Sequence, residues 1–512
     1  MAGFATGLAV LTALTQVAPA FDAAPRSHKS KRASPNIVFI LIDDMGWADG
    51  ACFGSKFYET PNIDKLAVSG TRFTQAYAAS AVCSPSRASL LTGKYPARLH
   101  ITDWIPGEGA PGNSRFTVPN WQQSLPLNER TLAEALGTRG YATVHLGKWH
   151  LGGKGYLPQN QGFDLNIAGG DIGHPASYFW PYGAATDDHR VPDLAERNGK
   201  KGDYLTDQLT DEALRFIEQH RNRPFFLNLC HYAVHAPLMG KKELIKQASE
   251  RPPANGQSNE TYAAMLRSVD DSVGRVVGKL DELHLTNNTV VVFSSDNGGA
   301  VHFGEPQTTS NWPLRNGKGS AYEGGLRVPL VIKLPAQTQG VVCQTPVITM
   351  DFYPTLMELV GAPPSASKTA LDGKSMVPLL RGSRQTLHNE LFWHYPHYWN
   401  GGKVSPYDVV RMGDWKLIRF YETGQDELYD LRNDISETRD LATSYPAKKN
   451  ELIRHLDSWL KGIGAQMPER RPVAAGYQRL AAQLPRLLRR ASAEGFLILS
   501  EKDRPIGALR PF

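Results

Sequence analysis

The stretch Asn36-Ile37-Val38-Phe39-Ile40-Leu41-Ile42, followed directly by Asp43 and Asp44, decides the fold class. The run is apolar and rich in branched side chains, which is typical of a strand buried on both faces, as in a parallel sheet. In open α/β sheets, ligands bind beyond the carboxyl ends of the strands. The two acids after Ile42 therefore lie where a binding site is expected.

Strand and helix patterns alternate along the next part of the chain. They predict helices that begin at Thr60-Pro61 or cover 131–139, 204–220, 260–283 and 351–360, and strands over 142–146, 225–230, 289–295 and 328–333. This alternation predicts an α/β fold, with a large, mixed and mostly parallel sheet sandwiched by helices.

The pattern changes from about residue 385. Short strands are predicted over 391–395, 408–411, 415–421 and 427–431, and a closing helix over 452–460. We therefore expect an α/β domain at 36–384 and a smaller C-terminal antiparallel α+β domain at 385–469. Residues 470–512 form an Arg-rich tail to which the sequence assigns no function.

The first twenty residues are typical of a secretory signal peptide. Residues 7–14 are an apolar core, and Ala18-Pro19-Ala20 is a cleavage site of the A-x-A kind, although no Lys or Arg precedes the core. Residues 21–35 are polar and basic and predict a linker. We expect a secreted or periplasmic protein, cleaved near Ala20. The apolar core is too short to span a membrane, and no transmembrane segment is predicted.

The charge distribution argues against a nucleic-acid partner. The chain has 512 residues and a net charge of +6, but residues 470–512 carry +6 and residues 21–35 carry +3, which leaves residues 36–469 at about −3. Any anion site must therefore be a local cluster. There are four cysteines, Cys52, Cys83, Cys230 and Cys343. Their number excludes a disulfide framework, and their spacing reveals no pairing.

A second pair of polar residues, Asp296 and Asn297, follows the strand predicted at 289–295. Together with Asp43 and Asp44 it brings three carboxylates and one amide oxygen to the same sheet edge. Such an all-oxygen set suits a hard divalent cation. Either pair alone is more often a turn or a helix cap, and only the combination favours a metal. Carboxylates do not choose between calcium and magnesium.

The motif Cys83-Ser84-Pro85-Ser86-Arg87 is followed by Leu91-Thr92-Gly93. The polar residues directly after Cys83 predict a turn from strand to helix, which would place Cys83 at a helix N-terminus, where the helix dipole favours an anion. The alternative is a surface Ser-Pro turn with a small buried cysteine.

This motif resembles the activation motif of type I sulfatases, which belong to the alkaline-phosphatase superfamily. In that family the formylglycine-generating enzyme oxidises the motif cysteine to formylglycine (3-oxoalanine). The resemblance covers about 36–470 and rests on six motifs in the family's order: Asp43-Asp44, the Cys83 motif, Lys148-Trp149-His150, His235-Ala236-Pro237, Asp296-Asn297-Gly298-Gly299 and Gly317-Lys318-Gly319.

The resemblance implies that Cys83 is modified and that its formylglycine hydrate is the nucleophile. A serine would be left as a stable sulfate ester, whereas the second hydroxyl of the hydrate allows sulfate to be expelled. The resemblance also implies one calcium ion per chain, with magnesium not excluded. Its ligands would be Asp43, Asp44, Asp296, Asn297 and the formylglycine oxygen at position 83.

The resemblance assigns the remaining catalytic roles to a set of basic side chains. Arg87 would hold the hydrate, and Lys148 and Lys318 would bind sulfate oxygens. His150 would take a proton from the hydrate during sulfate release. His235 would contact the substrate and protonate the leaving oxygen.

Three aromatic segments, 98–107, 173–182 and 392–398, resemble segments of bacterial sulfatases that act on sulfated galactose or N-acetylgalactosamine. Aromatic faces and His or Asp side chains suit a sugar pocket, and we expect sugar contacts from His174, His394 and His397. The alternative is that these aromatic side chains have a purely structural role and pack between the two domains.

The expected function is thus hydrolysis of sulfate esters in a sulfated sugar or glycan. Two alternatives stay open on the sequence. One is a phosphate or phosphonate ester hydrolase of the same superfamily, some of which carry the same cysteine motif. The other is an inactive glycan-binding relative, although no catalytic residue of the family is missing here.

Overall fold

The structure is a computed structural model that describes residues 1–3, 34–197, 199–301, 307–362 and 370–472. The apolar core and cleavage site of the predicted signal peptide, most of the predicted linker and nearly all of the Arg-rich tail lie outside these residues. Within the described ranges, no helix combines the length and the apolar character needed to cross a bilayer. Cys52, Cys83, Cys230 and Cys343 are free thiols.

The strands of the described residues form one large sheet, one smaller sheet and one short pair. In chain order they are β1 (Asn36–Ile42), β2 (Thr71–Tyr77), β3 (Phe116–Thr117), β4 (Ala142–Gly147), β5 (Leu165–Ile167), β6 (Phe225–Cys230), β7 (Thr289–Ser295), β8 (Arg327–Lys333), β9 (Val341–Cys343), β10 (Val347–Ile348), β11 (Glu390–Tyr395), β12 (Tyr407–Met412), β13 (Trp415–Phe420), β14 (Gln425–Asp430) and β15 (Glu469–Arg470).

The α-helices of the described residues range from single turns to six turns or so. In chain order they are α1 (Pro61–Ser69), α2 (Cys83–Thr92), α3 (Pro96–Leu99), α4 (Leu132–Gly137), α5 (Pro192–Ala195), α6 (Leu205–Gln219), α7 (Lys242–Ser249), α8 (Glu260–Glu282), α9 (Glu323–Leu326), α10 (Phe352–Leu359), α11 (Val377–Leu380) and α12 (Pro446–Ile463).

The large sheet has nine strands in the order β10-β2-β8-β7-β1-β6-β4-β5, with β9 also pairing with β2. Strand β8 runs antiparallel to both of its neighbours, and the other pairs are parallel. The expected mixed, mostly parallel sheet is confirmed. Because β1, β4, β6 and β7 run in the same direction, their carboxyl ends meet at one edge.

Strand β1 lies near the centre of this sheet, and its side chains alternate between two cores. Val38, Ile40 and Ile42 pack on one face, where α1, α6 and α8 bury their apolar sides. The alternate residues of β1 pack on the other face against α2, α4 and α10. This explains why the run is apolar at every position rather than at every second one.

The C-terminal part contains the four-stranded antiparallel sheet β11-β12-β13-β14, as expected from the sequence. Helix α12 packs on it through Leu452, Leu456 and Leu460. The same apolar cluster includes Tyr77 and Val82 from the region between β2 and α2. The smaller sheet is therefore packed against the segment that leads into the Cys83 motif.

Candidate active site

The predicted metal ligands follow two neighbouring strands. Strands β1 and β7 are parallel, with Ile42 opposite Ser295. Asp43, Asp44, Asp296 and Asn297 come directly after these two residues and are at most 1% exposed. Asp44 has a φ of 62°, in the left-handed region. The backbone N–H of Asp44 donates to Asp296 Oδ1 at 3.2 Å, which ties the two strand ends together.

Cys83 is the first residue of α2 and lies beside this group, as the sequence predicts. Its Sγ is 3.7 Å from Asp43 Oδ1. Ligand atoms of Asp43, Cys83 and Asp296 lie within 4.8 Å of one another, and so do those of Asp44, Cys83 and His235. Burial raises the pKa of the Cys83 thiol to about 12, so the unmodified side chain is a neutral and weak nucleophile.

Each of the three carboxylates has a cationic partner. Lys148 Nζ lies 2.7 Å from Asp43 Oδ2, and Lys318 Nζ lies 2.8 Å from Asp44 Oδ1. Arg87 Nη2 lies 2.7 Å from Asp296 Oδ2. Three acidic and three basic side chains thus lie together at 0–6% exposure, where charge interactions are only weakly screened. A divalent ion bound here would meet a site of balanced charge.

The two aspartates after β1 respond differently to this environment. Burial raises the pKa of Asp43, although Lys148 opposes the change. Burial also acts on Asp44, but the positive charges of Lys318 and of its neighbours outweigh it and lower the pKa of that carboxyl group. The same pairing raises the pKa of Lys318, against the effect of burial. Lys318 is therefore a permanent cation of the site.

In each of the two catalytic histidine candidates, one ring nitrogen lies within hydrogen-bond distance of a backbone carbonyl oxygen. His235 Nδ1 lies 2.8 Å from the oxygen of Ala236, and its Nε2 lies 3.6 Å from Asp44 Oδ2. His150 Nε2 lies 2.5 Å from the oxygen of Ile105, and its Nδ1 is buried without a hydrogen-bond partner. Burial lowers the pKa of both rings, with Lys318 as a further cause for His235 and Lys148 for His150.

His174 lies next to this centre. Its ring stacks on that of His235 with centroids 5.7 Å apart and on that of His189 at 4.0 Å. Both stacks are close to parallel, with interplanar angles of 7° and 12°. His174 is partly exposed. It stays a predicted sugar contact, and the structure adds His189 as its neighbour.

The other two predicted sugar contacts, His394 and His397, have side chains that are 0% exposed. His394 lies between Asp408 Oδ1, at 2.5 Å, and the backbone oxygen of Gln466, at 2.9 Å. His397 Nε2 lies 2.7 Å from Thr102 Oγ1. Both rings therefore have partners within the protein, and a sugar contact from either residue stays a prediction. These partners favour the alternative, in which the two rings pack between the domains.

The sequence did not indicate the role of Asp49, a buried carboxylate that holds the turn after Asp44. Asp49 is fully buried, and its Oδ2 accepts from the backbone N–H of Gly46 at 2.7 Å and from Tyr262 Oη at 2.5 Å. Thr309 Oγ1 donates to its other oxygen at 2.8 Å. Burial raises the pKa of Asp49 to about 6. No sequence signal distinguishes Asp49 from a turn residue, because its partners are remote in the chain.

A buried cluster of carboxylates, lysines and a helix-terminal cysteine at the carboxyl edge of such a sheet defines a hydrolase of the alkaline-phosphatase superfamily. The sulfatase family model matches residues 35–362, and the model described as N-sulphoglucosamine sulphohydrolase, C-terminal, matches residues 317–466. The chain belongs to the sulfatase family and is a sulfuric ester hydrolase.

Three similar proteins illustrate the relationship. A sulfatase of Formosa agariphila is 32% identical over 86% of this chain and 91% of its own length. Human N-acetylgalactosamine-6-sulfatase is 35% identical over 68% of this chain and 66% of its own length. The crystal structure of Ps i-CgsB in complex with k-i-k-neocarrahexaose has a fold similar to that of this chain, with a TM-score of 0.68 and 31% sequence identity. The match covers 89% of this chain and 99% of the chain in that structure.

Proposed function

We propose that the protein is a carbohydrate sulfatase that hydrolyses a sulfate ester of galactose or N-acetylgalactosamine in a glycan. The observation that carries the proposal is the placement of Cys83 at the start of α2, beside the carboxylates of Asp43 and Asp296 and the cations that pair with them. A relative that is named N-acetylgalactosamine-6-sulfatase and a similar structure in complex with k-i-k-neocarrahexaose support a sugar ester as substrate.

The proposed nucleophile is the hydrate of a formylglycine made from Cys83, with Arg87 as the group that holds it. One hydroxyl oxygen loses its proton to solvent and attacks sulfur, the bond between sulfur and the sugar oxygen breaks, and the sugar oxygen takes the Nε2 proton of His235 in its protonated form. His150 then takes the proton of the second hydroxyl. The C=O bond forms again, the C–O bond to sulfate breaks, and water hydrates the aldehyde for the next cycle.

Lys148 and Lys318 are the proposed sulfate ligands. Both ammonium groups are buried among the carboxylates, at 0% and 6% side-chain exposure. A buried cation aimed at developing negative charge stabilises a transition state more than an exposed one, because little water screens it. His235 would donate from Nε2 to the leaving oxygen only as the imidazolium, since its Nδ1–H is already directed to the carbonyl oxygen of Ala236.

The residues present fit a hard divalent cation. Three buried carboxylates converge, and Asn297 Oδ1 is buried without a hydrogen-bond partner, as expected of an oxygen that ligates a metal. We propose that Asp43, Asp44, Asp296, Asn297 and the formylglycine oxygen hold one calcium ion, although these donors also suit magnesium. When bound, the ion would polarise the ester and lower the pKa of the attacking hydroxyl.

Sulfate release from a panel of monosulfated sugars tests the substrate. The panel contains galactose, N-acetylgalactosamine and N-acetylglucosamine, each sulfated at different hydroxyl groups. The protein is produced together with the formylglycine-generating enzyme, its proposed partner in maturation. We expect selective release from a galacto-configured sugar. Release from the gluco-configured sugar alone would contradict the proposed sugar class.

Aryl sulfate and aryl phosphate serve as controls for the chemistry. We expect turnover of the sulfate and much slower turnover of the phosphate. Preferential turnover of the phosphate would instead favour the phosphate or phosphonate ester hydrolase of the same superfamily. A secreted or periplasmic location is proposed together with the signal peptide, and sequencing the N-terminus of the exported protein tests it, with cleavage expected near Ala20.

A further inference from the structure

The orientation of His150 depends on a backbone carbonyl group. Because the carbonyl oxygen of Ile105 can only accept, His150 Nε2 carries the hydrogen, and in the neutral ring Nδ1 keeps a lone pair. That Nδ1 atom is buried and has no hydrogen-bond partner. Burial and the charge of Lys148 favour the neutral ring. The Ile105 carbonyl group therefore determines which nitrogen atom of His150 can accept a proton.

Ile105 belongs to the turn 102–107, which contains no helix or strand. On one side this turn is attached to the start of α2, because the backbone N–H of Ile105 donates to Ser84 Oγ at 3.1 Å. Ser84 is the neighbour of Cys83. The turn thus lies between the proposed nucleophile and the proposed proton acceptor, and a shift of the turn would move the His150 ring relative to position 83.

On the other side the turn is attached to the C-terminal sheet through Asp103. This side chain is 0% exposed, and its Oδ1 accepts from Tyr395 Oη at 2.8 Å and from the backbone N–H of Trp104 at 2.9 Å. Tyr395 is the last residue of β11. A second link joins Thr102 Oγ1 to His397 Nε2 at 2.7 Å.

Burial of the Asp103 carboxyl group is unfavourable for the stability of the fold. Its Oδ2 is buried without a hydrogen-bond partner, 3.8 Å from His397 Nδ1, which also has none. A buried acceptor left in this state destabilises the fold, and a buried carboxyl group does so more than an apolar side chain of similar size. The arrangement calls for an explanation other than the stability of the fold.

We propose that Asp103, held by Tyr395, is a positioning residue for His150: it fixes the turn whose Ile105 carbonyl group orients the ring for the proton transfer that releases sulfate. The inference rests on the proposed function and adds a residue to it. The step concerned is transfer of the second hydroxyl proton to His150 Nδ1 as the C=O bond forms and the C–O bond to sulfate breaks.

Slower sulfate release has a kinetic signature that a general loss of structure does not produce. Attack on sulfur precedes the step, so kcat/KM for the ester is unchanged while kcat and KM fall by the same factor. The enzyme then accumulates with sulfate covalently attached at residue 83, and the first turnover appears as a burst of product.

The test uses Tyr395→Phe and Asp103→Asn, which remove the anchoring hydroxyl and alter the anchored carboxyl group without a large change in volume. We expect kcat and KM for an aryl sulfate to fall together by about tenfold, since a positioned base contributes on the order of 10²–10⁴ and is here only misoriented. Mass spectrometry of the quenched enzyme should show the sulfated adduct at residue 83 in both variants.

Tyr398→Phe is the matched control, because Tyr398 lies in the same segment but its hydroxyl donates to Glu422 Oε2 at 2.6 Å instead of to Asp103. It should behave as the wild type. A parallel fall of kcat and kcat/KM without adduct, or unchanged kinetics in Tyr395→Phe, would overturn the positioning role. If the wild type turns over without a formylglycine at residue 83, the proposed function itself fails.

Discussion

Lys318 Nζ lies 2.8 Å from Asp44 Oδ1 and 2.9 Å from Asp44 Oδ2, so one ammonium group spans both oxygens of a proposed metal ligand. Asn297 Nδ2 donates to the same carboxylate at 2.8 Å. The proposed metal-binding and sulfate-binding groups are therefore in direct contact. The two functions can nevertheless be separated by mutation, because Lys318 offers no lone pair to a cation, whereas Asp44 does.

Lys318→Met should lower kcat/KM for sulfate esters by about 10²-fold, the scale for loss of one group that stabilises developing charge. The content of bound metal should be unchanged, since every proposed ligand remains. Steady-state kinetics and elemental analysis of the same preparation measure both. Lys154→Met, at an exposed position, is the control for loss of a positive charge. Loss of metal together with activity would contradict the assignment of Lys318 to sulfate.

Asp44→Asn should weaken metal binding, because the site loses one of its three carboxylates. In the wild type, a chelator should reduce activity and melting temperature together, and calcium should restore both. Ligand present at 100 times its dissociation constant stabilises the fold by about 2.7 kcal/mol, so the shift is measurable by thermal unfolding. Asp271→Asn, which changes a partly exposed carboxylate paired with Arg267, is the control. A wild type indifferent to chelation would be incompatible with the metal site.

Cys83→Ala should abolish turnover, with a loss on the order of 10³-fold or more, because no other group can form the covalent intermediate. The fold should persist, since the change removes one small side chain from the start of α2. Thermal unfolding, with metal supplied, distinguishes loss of the nucleophile from loss of structure. Cys343→Ala, at a buried cysteine in β9 of the same sheet, is the matched control. Turnover near the wild-type rate in Cys83→Ala would refute the nucleophile assignment.

The pair His394 and Asp408 should make the stability of the C-terminal sheet depend on pH. Burial lowers the pKa of His394, but the adjacent Asp408 carboxylate outweighs it and raises the pKa above its usual value of 6.5. A raised pKa in the folded state means that the stabilisation is fully present below about pH 6.5 and is lost as the pH rises through the raised value.

Urea unfolding between about pH 6 and 9 measures this effect. The free energy of unfolding of the wild type should decrease over that range relative to that of His394→Gln, whose side chain does not titrate. His455→Gln is the control, because His455 pairs with Glu390 at a more exposed position. Parallel pH profiles for the wild type and His394→Gln would show that the buried pair does not carry the effect.

The sequence predicted the parts of the fold that depend on local pattern. The apolar run 36–42 and the strands at 142–146, 225–230 and 289–295 are recognisable because both faces of these strands are buried. Strand β2 was not predicted, since Arg72, Thr74 and Gln75 are only partly buried and interrupt the apolar pattern. The direction of β8, antiparallel to its neighbours, depends on the path of the chain and has no local signal.

Within the candidate site, too, some residues were indicated by local pattern and others depend on partners that are remote in the chain. Asp43, Asp44, Asp296 and Asn297 directly follow strands and Cys83 begins a helix, so local pattern indicated where these side chains lie. Lys318 lies in a loop, and only the family resemblance pointed to it. Whether a polar side chain on a C-terminal strand faces a ligand or an internal partner depends on remote residues. Local pattern could not show that His394 lies between Asp408 and Gln466, which are distant in sequence, or that Asp103 is bound by Tyr395.

The burial of Cys83 has a consequence for the timing of maturation. Cys83 is 2% exposed, and every residue of α2 is buried between the large sheet and its neighbours. An enzyme that oxidises this thiol must enclose the motif in its own active site, which the folded chain does not permit. The proposed conversion at Cys83 would therefore have to precede folding, and a molecule that folds first would not be activated.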